Sequence, residues 1–142
     1  MKILNFLILL ILTFGCGKRP QEGFTTPYLL SLISDFEKDF SVEVDYSVKF
    51  VNQFTEKNQP ANEAGLCQKY PTFRYVEILS TYKDSYMLPP LVYHELGHCS
   101  LDLEHYEKTV DIMNATLTTP LGKHFDDYKQ QMIHNYFNFV YE

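Results

Sequence analysis

Residues 94–98 read His94-Glu95-Leu96-Gly97-His98, an H-E-x-x-H pattern. On a helix, residues four apart differ by ~40° around the axis, so both imidazoles share one face. That spacing lets both bind one Zn²⁺ at about 2.0–2.1 Å. Glu95 stands on the next spoke, near the ion but not on it. There a carboxylate can take a proton from water on the ion, whose pKa falls toward ~7.

A catalytic zinc site takes three protein ligands and leaves a fourth position open. His105 is the strongest third candidate. It follows His98 by seven residues, after the helix-weakening Ser100 and Asp102. A chain that leaves the helix near Leu101 can fold His105 back. Asp102 and Glu104 are the competing donors. Glu107 and Asp111 follow His98 too closely for a second antiparallel helix to return them.

Several elements must position this stretch. Thr26-Pro27 is a helix-start signal, and Leu29, Ile33, Phe36 and Phe40 set one apolar face of a helix over 27–40. Val42, Val44, Tyr46, Val48 and Phe50 then alternate with polar residues, which reads as a half-buried strand. Residues 52–71, punctuated by Pro60, Gly65 and Pro71, read as a long loop with room for a small hairpin. A second strand is expected over 72–80. Pro89-Pro90 opens the helix that carries the motif, running to about Leu101. Residues 102–117 read as irregular. Thr119-Pro120 starts a long last helix whose stripe is Leu121, Phe125, Tyr128, Met132, Tyr136 and Phe139. The fold class is α+β. Met87 and Met132 read as core, and His124 and His134 as solvated.

The chain has 142 residues, 45% of them apolar and 21% charged, as in one globular domain. Eleven Tyr and eleven Phe argue against disorder. A net charge of -6 argues against a nucleic-acid partner, which needs a basic face.

Lys2 precedes an apolar run from Ile3 to Phe14, too short for a spanning helix of ~20 residues. It reads as a signal peptide over 1–15. The ending Leu12-Thr13-Phe14-Gly15-Cys16 resembles a bacterial lipoprotein signal, which implies lipidation of Cys16 and a membrane anchor. Residues 16–25 would be a tether and 26–142 the domain. By the same resemblance, Gly17 after Cys16 points to the outer membrane, with the domain in the periplasm or at the cell surface. In an oxidising compartment Cys67 and Cys99 are either a disulfide or two buried thiols.

The stretch His94–His105, followed by Asp111-Ile112-Met113-Asn114, resembles the metzincin clan of zinc metalloproteases. The resemblance implies a zincin-like fold and one Zn²⁺ held by His94, His98 and His105. It implies Glu95 as general base and Met113 as the Met-turn floor under the metal. His98 to His105 is one residue longer than the clan's usual spacing. A closer likeness is a group of bacterial metalloprotease-like lipoproteins with H-E-L-G-H-C-x-L-x-x-x-H and then I-M. These often carry an upstream G-x-C, matched here by Gly65-Leu66-Cys67, which implies a Cys67–Cys99 bridge. In the clan, substrate lies antiparallel along an edge strand, here expected at 72–80. Tyr93, Tyr106 and Tyr136 remain open as oxyanion partners or packing residues.

The resulting expectation is a zinc-dependent metallopeptidase acting on a peptide or protein substrate. The alternative is a non-catalytic zinc-binding or interaction lipoprotein of the envelope.

Overall fold

The computed structural model describes residues 22–60 and 62–141. The expected signal peptide, Cys16 and residues 17–21 of the tether lie outside them. The described residues are α+β, with a three-stranded sheet and four α-helices. None of these helices is long and apolar enough to cross a membrane.

Helix α1 spans Pro27–Phe40 as the capping signal predicts. The Thr26 hydroxyl accepts from the Leu29 N–H at 3.1 Å, a cap worth ~1 kcal/mol. Its buried residues are Leu29, Leu32, Phe36 and Phe40, while Ile33 is only half-buried. The end of the expected tether is docked rather than loose. Phe24 exchanges two main-chain hydrogen bonds with Phe50, at 3.1 and 2.8 Å, and the two rings stack obliquely at 5.4 Å.

Strand β1 is Ser47–Val51, shorter than the alternating run suggests. Its parallel partner begins pairing only at Tyr75, so Val42, Val44 and Tyr46 pack on the core without a ladder. Strand β2, Gly65–Lys69, occupies part of the expected loop. It forms an antiparallel hairpin with β3, Arg74–Leu79. The sheet order is β1-β3-β2. The expected second strand is therefore central, not an edge, and the placement of substrate along 72–80 is overturned. A strand paired on both sides has no free main-chain groups to offer.

Helix α2, Leu88–Leu101, is buried on nearly every side, between the sheet, α1 and the C-terminal helices. The expected long last helix is two. Helix α3 is Thr119–Lys123 and α4 is Phe125–Phe137, broken at His124, whose φ and ψ are -121° and 37°. Leu121 and Met132 are buried. Phe139 lies beyond the helix end and is 70% exposed, so it falls off the predicted stripe.

Candidate metal centre

Helix α2 stops where the motif needs it to. Asp102 takes the left-handed conformation (φ 54°), and Leu103 N–H bonds back to the Gly97 carbonyl at 3.1 Å. The helix thus ends on a left-handed Asp rather than the usual Gly, and the Asp102 N–H returns to the same Gly97 carbonyl. Two cations from the β2–β3 hairpin cover the freed carbonyls. Lys69 Nζ donates to His98 O at 3.2 Å and to Asp102 Oδ1 at 2.9 Å. The Arg74 guanidinium donates to Cys99 O. Positive charge at a helix C-terminus is favourable. The chain then reverses and returns His105 to the helix face.

His94, His98 and His105 come together, with one ligand atom from each within 4.8 Å of the others. His94 Nδ1 donates to the Ile112 carbonyl and His98 Nδ1 to the Leu103 carbonyl, both at 2.6 Å. A carbonyl only accepts, so in each neutral ring the proton is on Nδ1 and Nε2 carries a lone pair. The two Nε2 atoms face each other at 3.1 Å. Two lone pairs that close repel unless a cation joins them. Nitrogens ~2.05 Å from a tetrahedral ion are ~3.3 Å apart. The donor set therefore fits a metal ion, and main-chain carbonyls fix the tautomers, as outer partners of metal ligands do.

Burial pushes the His94 imidazolium down to about 3 against the opposing Ile112 hydrogen bond; His98 and His105 lower it further. His98 is lowered too, first by burial. Both rings stay neutral and available near pH 7.

Asp102 is engaged with Lys69, and Glu104 lines the cleft outside the imidazole cluster. Glu107 accepts from Ala115 N–H at 2.9 Å. Asp111 is buried among neutral donors. His124 and His134 are exposed, away from the cluster.

Glu95 lies in the wall of a cleft of about 510 Å³ together with the three His. It is 6% exposed. Burial pushes its carboxyl up to about 8, Glu63 adds to the rise, and a hydrogen bond from the Cys67 main chain opposes it. Met113 is fully buried, with its sulfur against Gly97, where a Cβ would approach to 2.6 Å. Cys67 and Cys99 form a disulfide with Cα atoms 5.7 Å apart, joining β2 to α2 beside His98.

The three open Tyr candidates are packing residues. Tyr93 donates to Asp39 at 2.7 Å on the α1 side, Tyr106 packs on Tyr141 and Tyr136 on Phe40. The cleft instead carries Tyr82 and Tyr86. Sequence reasoning also missed Gly65, which it used only to locate Cys67. A Cβ there would meet Glu95 Oε1 at 2.6 Å.

Comparison with protein-family models, with curated proteins and with solved structures gives no match in any of the three. The functional reading therefore rests on the geometry and chemistry of the cleft.

Proposed function

We propose that this chain is a zinc-dependent metallopeptidase with a metzincin-like site, anchored at the bacterial envelope through a lipidated Cys16. The supporting observation is the set of three imidazoles whose nitrogens converge beside a buried carboxylate in an open cleft. His94, His98 and His105 would hold the ion. When bound, zinc supplies Lewis acidity toward the scissile carbonyl and toward water.

The chain's own groups do the rest. Glu95 takes the proton from the attacking water and returns it to the leaving amine. Buried and metal-free, it favours its protonated form at neutral pH. Positive charge among the imidazoles would favour the ionised form, as any nearby cation does.

Strand β2 is the sheet edge beside the cleft. Main-chain groups alternate in direction along a strand. Ala64 O accepts from Leu79 N, so residues 65, 67 and 69 turn theirs outward, the Cys67 N–H toward Glu95. An extended peptide can add to this edge by β-augmentation, which moves the substrate strand from β3 to β2. The Cys67–Cys99 bridge agrees with an oxidising compartment.

A zinc-binding module without turnover is the second reading. It is favoured by the packing of the Glu95 side chain against Gly65, which holds the carboxylate in the cleft wall. Cleavage of a mixed-sequence fluorogenic peptide library, run beside Glu95→Gln, separates the two. The peptidase reading expects zinc-dependent cleavage that the variant loses while keeping its zinc. No cleavage by zinc-loaded protein across the library supports the binding module.

A further inference from the structure

Asp111 is 1% exposed, and every donor around it is neutral. Its Oδ1 accepts from Met113 N–H and from the Tyr141 hydroxyl, both at 2.9 Å. Its Oδ2 accepts from Asn135 Nδ2 and from the same hydroxyl, both at 3.1 Å. Its own N–H donates to Asn114 Oδ1 at 2.7 Å. Burying a carboxylate without a cation is costly, and only a full set of donors makes it tolerable. No other side chain of this size accepts from all three partners. An amide would set its NH₂ against at least one donor.

The main chain between these contacts carries the carbonyl of Ile112, which accepts from His94 Nδ1 at 2.6 Å. Tyr106 N–H also bonds to Met113 O at 2.8 Å, closing the turn from its other side. Asn135 lies on α4 and Tyr141 just beyond it. The C-terminal end of the chain thus reaches the metal cluster through one carboxylate and one carbonyl.

We propose that Asp111 is a positioning residue for the metal centre: clamped by Asn135 and Tyr141, it aims the Ile112 carbonyl that orients His94. This rests on the metal-binding reading above. Freed from the clamp, the turn would let Ile112 O drift and the His94 ring rotate. Metal affinity would fall although no ligand is lost.

The test uses Tyr141→Phe and Asp111→Asn in the full chain, with Tyr46→Phe as control. Tyr46 also loses a hydroxyl contact to an α2 side chain, Ser100, at 2.5 Å. Zinc affinity is measured by chelator competition, the cobalt-loaded protein by its visible spectrum, and the metal-free protein by thermal unfolding. The expected result for Tyr141→Phe and Asp111→Asn is zinc affinity weakened about 10- to 100-fold, the range for outer partners of metal ligands, with altered cobalt bands. Tyr46→Phe should lower the melting temperature without either change. Unchanged affinity and spectrum in Tyr141→Phe would overturn the proposal, leaving Asp111 as scaffold only. Failure of the unmutated protein to bind zinc or cobalt would overturn the metal-binding reading itself, and this inference with it.

Discussion

Gly65 and Glu95 touch: a Cβ on residue 65 would sit 2.6 Å from the Glu95 Oε1 and 2.7 Å from its Cγ. Strand β2 can approach α2 this closely only because residue 65 has no side chain. Gly65→Ala should therefore displace Glu95 or push β2 outward. Overpacking of this kind costs about 1–3 kcal/mol. On the peptidase reading we propose, this predicts roughly a tenfold loss of turnover or more with zinc stoichiometry unchanged, read from kcat and metal analysis. Full activity in a folded Gly65→Ala protein would contradict this role.

Glu95 gives metal-free protein a defined pH dependence. Its folded pKa is raised from 4.5 to about 8 by burial. Between those values the folded state holds a proton that the unfolded state has lost. Its contribution to stability is full below about 4.5 and is lost as pH rises toward 8. Glu95→Gln has no such proton to lose. The melting temperature of metal-free Glu95→Gln should gain on the unmutated protein from pH 5 to pH 8.5, measured by calorimetry. A constant difference would contradict the buried placement.

His94 works in the opposite direction. Its folded pKa is lowered from 6.5 to about 3, so the unfolded state binds the proton in that window. Acidification from pH 6.5 should destabilise the metal-free protein through His94. His94→Gln should flatten that limb of the stability curve.

The Cys67–Cys99 bridge closes a loop with a sequence separation of 32. In the chain-entropy model its removal costs roughly 3–4 kcal/mol. Cys67→Ala/Cys99→Ala should unfold at correspondingly lower urea. Because Cys99 follows His98, the double variant should also bind zinc more weakly. Equal urea midpoints with and without the bridge would contradict its structural weight.

Much of the fold was legible because its signals are local. Thr26-Pro27 and the Leu29–Phe40 spacing need no distant partner to define α1, and the His94/His98 spacing lies within one helix. Strand β2 was not legible as a strand: Gly-Leu-Cys-Gln-Lys has little strand propensity and is held by β3, α2 and the disulfide. The alternation at 42–46 looked like a strand, but a ladder requires a neighbour, and pairing begins at Ser47. The central place of β3 is a property of strand order, which periodicity does not encode. At the site, His105 could be nominated from the helix-weakening residues before it. Gly65 and Asp111 could not, since their roles depend on Glu95, Asn135 and Tyr141 far away in sequence.

Metal removal should expose the coupling between site and fold. A ligand that binds only the folded state stabilises it by about 2.7 kcal/mol at a free concentration of 100 Kd. Chelation of zinc-loaded protein should therefore lower its melting temperature, and zinc should restore it. The most direct measurement is metal content by mass spectrometry on the unmutated chain, beside His105→Ala. The account predicts about one zinc per chain, lost or greatly weakened in the variant. No zinc after reconstitution, or zinc held undiminished by His105→Ala, would contradict the three-imidazole centre.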